Sequence, residues 1–361
     1  MSPSLKRIFS SRNANADLIA KRIAARVQER NTWTTWKNHS LRDVLKFYRA
    51  KYSKIPSQEQ LDIEFPVQKI DWNLLKENNK ITENKLSVTW IGHATCLLQI
   101  DGFTVLTDPV FSKRCSPTQL VGPARYRPPA CTVKELLEAL KIDIVMVSHN
   151  HYDHLDYNSI RELATDAKNE MVFVVPLGLA SWFRSNITNV EDNHSIVELD
   201  WHETHSVKSS NNQLEITPVP MQHWSSRAGY DADQTLWCGY SMRSTKSNRA
   251  ALFSGDTGWF EGLHDIGKKY GPFDVGMIPI GAYEPYSFMK PQHNNPEDAI
   301  KMMQAVRVRR AVPIHYGTFQ LTTEPYLEPI QRLETSMKAA GLPLERFKSW
   351  LIGETVIIDE E

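Results

Sequence analysis

The amino-acid sequence predicts a layered α/β domain in which two β-sheets are covered on their outer faces by helices, with a helical and loop extension ahead of it. Three observations carry that expectation. From about Lys85 onward, short apolar and β-branched runs alternate with segments of helical apolar spacing. Twelve strand candidates interspersed with six helix candidates imply two packed sheets. With 41% hydrophobic and 23% charged residues, the 361-residue chain also lies far from the composition of disordered segments. No run approaches the roughly 20 apolar residues of a membrane-spanning helix, and Met171–Val175 is among the longest.

Residues 1–32 read as a basic N-terminal segment. Residues 1–16 are rich in Ser, Arg and Asn and lack the apolar stretch of a secretory signal. From Asp17 to Glu29, Leu18, Ile19, Ile23 and Val27 recur at helical spacing with Lys21, Arg22, Arg26 and Arg30 between them, which predicts a basic amphipathic helix. Such a helix docks on the body, lies on anionic lipid or serves as an organelle presequence. Residues 1–54 hold 13 Lys/Arg against three Asp/Glu, and the remainder holds 29 against 39. An acidic body argues against nucleic acid as a partner, and its basic leader favours a local anionic partner such as a membrane surface.

Residues 33–84, with Trp33, Trp36, Leu41, Val44, Leu45, Phe47 and Tyr48 and prolines at 56 and 66, are expected to form a helix and loops wrapping the main domain. The main domain is then 85–361. Its strands are expected at residues 87–91, 95–100, 103–107, 142–148, 171–176, 195–199, 213–218, 236–242, 250–254, 275–279, 311–313 and 349–352. Helices are expected at 133–140, 156–168, 177–186, 260–270, 296–305 and 328–340. The four cysteines, at 96, 115, 131 and 238, contain no C-x-x-C pair, which excludes a thiolate zinc knuckle and a dense disulfide scaffold and favours a reducing compartment.

The chemistry concentrates in Ser148-His149-Asn150-His151-Tyr152-Asp153-His154-Leu155-Asp156, which follows an apolar strand and precedes a helix. His149 and His151 can point to one side of such a turn while Asp153 and His154 reach to another, so one loop can serve two metals. The missing ligands are sought at the ends of later strands, where a rigid frame holds polar side chains clear of the core. His223, Asp256 and His315 each stand where an apolar strand runs out.

These residues resemble the metallo-β-lactamase superfamily over about residues 87–317: the His-x-His-x-Asp-His loop, a later His, the Asp of Gly255-Asp256-Thr257-Gly258 and a final His after a strand. Within it the chain looks most like the N-acyl-phosphatidylethanolamine-hydrolysing phospholipase D family, from about Trp33 to near the C-terminus. Trp33-Thr-Thr-Trp-Lys-Asn38, Trp90-Ile-Gly-His-Ala-Thr95, Leu106-Thr-Asp-Pro109, Val175-Pro-Leu-Gly178, Pro279-Ile-Gly-Ala-Tyr-Glu-Pro285, Gln292-His293, His315-Tyr-Gly-Thr-Phe319 and Tyr326-Leu-Glu-Pro329 carry that likeness.

The resemblance implies an αββα sandwich and two zinc ions per chain: His149, His151 and His223 on one, Asp153, His154 and His315 on the other, and Asp256 bridging. It implies Asp153, Asp256 and His293 as catalytic groups, Tyr152, Gln119 and His293 as substrate contacts, and Asp108 and His93 as residues orienting ligands. Leu120 departs from the aromatic residue the family commonly has after Gln119. The implied reaction is hydrolysis of N-acyl-phosphatidylethanolamine to phosphatidic acid and an N-acylethanolamine, by hydroxide that Asp153 orients toward phosphorus. The setting implied is a peripheral, homodimeric protein on the cytoplasmic face of an intracellular membrane, with organelle targeting by the basic N-terminus. The phosphohistidine type of phospholipase D is excluded, because no histidine is followed two positions on by Lys. Alternatives are hydrolysis of a small phosphorylated lactone or cyclic phosphodiester, a nuclease, and a membrane-associated binding protein with structural metals.

Overall fold

The computed structural model describes residues 3–80, 84–166 and 170–359, the side chains of residues 3–14 excepted. Four helices precede the first strand: α1 (Pro3–Asn31), α2 (Leu41–Tyr48), α3 (Gln58–Glu64) and α4 (Trp72–Lys80). Next come β1 (Leu86–Gly92), β2 (Thr95–Ile100), β3 (Phe103–Thr107), α5 (Val133–Ala139), β4 (Ile144–Met146), α6 (Tyr157–Ala164), β5 (Val172–Pro176), α7 (Ala180–Asn186), α8 (Val190–Asn193) and β6 (Ser195–Leu199). The second half adds β7 (His205–Lys208), β8 (Gln213–Val219), β9 (Gly239–Ser244), β10 (Ala250–Phe253), α9 (Gly262–Tyr270), β11 (Phe273–Pro279), α10 (Tyr286–Met289), α11 (Pro296–Ala305), β12 (Val308–Ile314), α12 (Glu328–Ala339) and β13 (Thr355–Ile357).

Among the described residues the strands form two sheets, one of seven in the order β13-β1-β2-β3-β4-β5-β6 and one of six in the order β12-β11-β10-β9-β8-β7. The central strands β4 and β5 of the first sheet are buried on both faces and read as continuous apolar runs, whereas its outer strands β6 and β13 are half-exposed. Ile144, Met146 and Val174 join Tyr240, Met242 and Leu252 of the second sheet in one core cluster. Val145, Phe173 and Val175 instead pack with Leu136, Ile160 and Phe183 of the covering helices. Thr132 and Asp156 cap α5 and α6 by accepting from backbone amides, which fixes where those helices begin.

Among the elements that differ from expectation, three do so for a clear local reason. The strand β7 is short, polar and half-exposed at a sheet edge, so no apolar alternation announces it. Residues 349–352 form no strand: the Trp350 carbonyl accepts from the Tyr316 hydroxyl, Ile352 makes one bridge to Val67, and pairing with β1 falls to β13. The strand β4 ends at Met146 because the Ser148 amide donates to the Asp108 carboxylate, peeling the chain away from the sheet and starting the histidine-rich loop. The helix expected over 156–168 ends at Ala164, and residues 167–169 lie outside the described residues.

The N-terminal helix is longer than its apolar spacing suggested, and of the alternatives open to its apolar face, docking on the body is the one observed. Ile23 is buried, and Ile19 and Val27 pack on the main core. Arg22 and Arg26 pair with Asp200 at 2.9 and 3.0 Å. This part of residues 1–32 is therefore docked on the body, with Leu18 left exposed.

Gly255, immediately ahead of Asp256, has φ of +56°, and a Cβ there would lie 2.6 Å from the Ser148 Cβ. Gly255→Ala is expected to combine left-handed strain with overpacking and to lower stability by about 2–4 kcal/mol, read as a fall in the denaturation midpoint.

Candidate metal centre

The loop after β4 brings His149, His151, Asp153 and His154 to one edge of the sandwich, where residues beyond β8, β10 and β12 add His223, Asp256 and His315. Two groups form. In the first, His151 Nδ1 lies 2.8 Å from His149 Nε2 and 3.2 Å from His223 Nε2. In the second, Asp153 Oδ2 lies 3.2 Å from His315 Nε2, 3.5 Å from His154 Nε2 and 3.0 Å from His93 Nε2. Between them, Asp256 Oδ2 is 3.0 Å from His154 Nε2, 3.2 Å from His315 Nε2, 3.7 Å from His223 Nε2 and 3.9 Å from His149 Nε2.

This crowding fits cations better than protons. A proton on His151 Nδ1 can be shared with only one of the two facing ring nitrogens, whereas three lone pairs converging on one point suit a single metal ion. His151 Nε2, His154 Nε2 and the Oδ1 of Asp256 are buried without hydrogen-bond partners. The donor set is all imidazole and carboxylate, with the outward nitrogens set by the bonds of the inward ones. His154 Nδ1 sits 2.6 Å from Asp108 Oδ2, His223 Nδ1 donates to the Gln292 carbonyl at 3.0 Å, and His149 Nδ1 lies 2.9 Å from Ser148 Oγ.

Burial disfavours charge on the imidazoles, holding His149 and His223 well below their ordinary range and pushing His151 down to about 4. Against that same burial, Asp256 and Asp153 raise His154 well above its usual value and push His315 up to about 9. The two carboxylates are held well below theirs, mainly by His154 once burial is overcome. His93, Asp108 and His315 all adopt positive φ, +55°, +32° and +63°, and non-glycine backbone of this kind collects at functional sites.

The centre forms the floor of a cleft of about 630 Å³. His293, whose Nε2 is 3.9 Å from Asp256 Oδ2, lines it together with Tyr152. Val44, Phe47 and Tyr48 of α2, with Phe288, Met289 and Leu321, make an apolar wall. Burial lowers His293 to about 4, so it is neutral near pH 7. Gln119 is the exception among the expected substrate contacts: its side chain exchanges hydrogen bonds with the backbone of Arg114, 3.0 and 2.9 Å, and does not line the cleft. Its amide is used to close the 114–119 turn.

Arg227 had no signal in the sequence, since Ser225-Ser-Arg-Ala-Gly229 reads as an ordinary polar turn. Its Nη1 donates to the carbonyls of Asn150 and Leu155, both at 2.8 Å, and its guanidinium lies 4.0 Å from the Tyr152 ring centroid. It therefore ties both ends of the histidine-rich loop. Arg227→Met is expected to weaken metal affinity roughly 10–100-fold, as loss of an outer support does, measured by competition with a chromophoric chelator.

A family model described as the beta-lactamase superfamily domain matches residues 104–316. The chain is 37% identical over 293 residues to N-acyl-phosphatidylethanolamine-hydrolyzing phospholipase D 1 of Caenorhabditis elegans, covering 80% of this chain and 79% of that one. It is 33% identical over 267 residues to the mitochondrial N-acyl-phosphatidylethanolamine-hydrolyzing phospholipase D of Saccharomyces cerevisiae, covering 73% of this chain and 54% of that one. Among solved structures, a metallo hydrolase from Ignicoccus hospitalis superposes with a TM-score of 0.54 at 22% identity, over 77% of this chain and 100% of that one, a likeness of fold.

Proposed function

The chain belongs to the N-acyl-phosphatidylethanolamine-hydrolysing phospholipase D family of the metallo-β-lactamase superfamily, and from that membership we propose that this hydrolase cleaves N-acyl-phosphatidylethanolamine with two zinc ions. His149, His151 and His223 would hold one ion, Asp153, His154 and His315 the other, with Asp256 between them. Bound there, the pair would lower the pKa of water toward 7 and neutralise charge on the phosphoryl oxygens.

The remaining steps fall to the chain. Asp153, held by His93 and His315, orients the attacking water toward phosphorus. His293, neutral and facing the cleft, hydrogen-bonds to the phosphodiester, while Tyr152, its ring against Arg227, borders the head group. The bond between phosphorus and the ethanolamine oxygen breaks. Water's oxygen stays on phosphorus and its proton goes to the departing oxygen, giving phosphatidic acid and an N-acylethanolamine.

The observation that carries this reading is the cleft itself, with polar ligands on the floor and the apolar wall of α2, Phe288, Met289 and Leu321 above it. Acyl chains match such a wall, whereas a small soluble phosphodiester gains nothing from it. The exposed apolar residues support a bilayer as the source of substrate. Leu41, Leu45 and Tyr48 on α2, Leu120 and Val121, and Tyr230 all belong to segments whose neighbouring residues line the cleft. Clustered exposure of this kind marks an interaction surface, and Arg42, Lys46 and Arg49 beside it suit anionic lipid. Among the described residues no helix is long and apolar enough to cross a membrane, so contact would be peripheral. Mass spectrometry of products from N-acyl-phosphatidylethanolamine vesicles tests the reaction. Ethanolamide and phosphatidic acid are expected, and a zinc-loaded protein that releases neither overturns the proposal.

A further inference from the structure

Trp33–Asn38 carries part of the family likeness yet supplies none of the converging ligands, and Arg30, just ahead of it, is only 2% exposed. A guanidinium is seldom buried so fully unless it is paired. Both features reach the same target. Arg30 clamps Asp233, Nη1 donating to Oδ1 at 3.1 Å and Nη2 to Oδ2 at 2.9 Å, and Nη1 also donates to the backbone carbonyl of His223 at 3.2 Å. Its guanidinium rests against Trp36 and Trp237, 4.0 and 4.8 Å from the ring centroids. The Thr35 hydroxyl donates to the side chain of Gln222 at 2.5 Å, and the Gln222 amide donates onward to the carbonyls of Trp259 and Pro291. With His223 Nδ1 bonded to the Gln292 carbonyl, backbone and ring of this one histidine are held from two sides, which leaves Nε2 aimed at His151 and Asp256.

We propose that Arg30–Asn38 is a positioning strap for His223, with Arg30 as the positioning residue. The segment ahead of the main domain thereby sets affinity at the cation held by His149, His151 and His223 and leaves the cation at Asp153, His154 and His315 untouched. The inference rests on the ligand assignment proposed above. Arg22 and Arg26 dock the same helix through Asp200 and make none of the bonds that hold His223, and so provide an internal control.

The test uses the full-length chain loaded with zinc ions and titrated with a chromophoric chelator to obtain two stepwise dissociation constants. In Arg30→Met one of the two dissociation constants is expected to rise roughly 10–100-fold while the other stays at the parent value. Arg30→Lys, which keeps a donor for the carbonyl without the fork on Asp233, should fall between. The Arg22→Met/Arg26→Met pair should lower the denaturation midpoint with both constants unchanged. If Arg30→Met fails to fold, Thr35→Val takes its place, and a several-fold loss at one step alone is the expected result. Unchanged constants in the strap variant, or parallel loss at both steps, overturn the inference. A parent chain binding fewer than two zinc ions would instead overturn the ligand assignment.

Discussion

Asp256→Asn is expected to abolish phosphodiesterase turnover while the protein stays folded. Asp256 Oδ2 lies within 3.0–3.9 Å of ring nitrogens from both histidine groups, so its charge is the one that both proposed cations share. The amide keeps the shape and removes the charge, leaving two cations facing one another across a neutral group. Loss should exceed the roughly 10–100-fold that removal of an outer support such as Asp108 costs, because the ligand itself is altered. Elemental analysis beside the vesicle assay separates the outcomes. Fewer than two zinc ions bound, with no ethanolamide, is expected, and parental turnover from Asp256→Asn would remove Asp256 from the mechanism. Asp108→Asn should give the smaller loss, since it weakens the support of His154 Nδ1 and of the turn at Ser148 but removes no proposed ligand.

Leu41→Asp/Leu45→Asp is expected to cut activity on vesicles by more than 100-fold and to spare activity on a detergent-dispersed substrate. Both leucines are exposed on α2, 76% and 48%, and neither lines the cleft, where Val44, Phe47 and Tyr48 point instead. Burying two such side chains in a lipid interface is worth roughly 1.5–3 kcal/mol each, and the substitution adds two negative charges beside Arg42 and Lys46. Co-sedimentation with anionic vesicles reads the binding directly. Equal loss on dispersed substrate would place the damage inside the cleft, and parental vesicle binding would rule this helix out as the footing.

Much of the candidate centre was legible along the chain because its proposed ligands are chemically unusual where they stand. Three histidines and an aspartate within six residues after an apolar strand leave few other uses. His223, Asp256 and His315 were each ambiguous alone and gained meaning together, and the structure brings all seven side chains to one edge. The two-sheet α/β class also followed from the alternation of elements, since strands buried on both faces, such as β4 and β5, are rich in apolar residues. The edge strand β7 and the ending of β4 did not follow, because an edge carries no periodic signal and β4 ends on a hydrogen bond from Ser148 to Asp108, 40 residues earlier.

By itself, the order of residues determined the chemistry available: which ligand types exist, that thiolates are not among them, and that a basic leader precedes an acidic body. Only the tertiary structure decided how that chemistry is deployed. It turned the apolar face of α1 inward and set Arg22, Arg26 and Arg30 on body carboxylates, while Leu41, Leu45 and Tyr48 of α2 stay exposed. It also spent Gln119 on its own turn and put Arg227 behind the ligand loop. Charge and hydropathy are properties of a residue, but whether a side chain meets a core, a partner or a cleft depends on what distant segments place opposite it, and amphipathic spacing alone does not encode that choice.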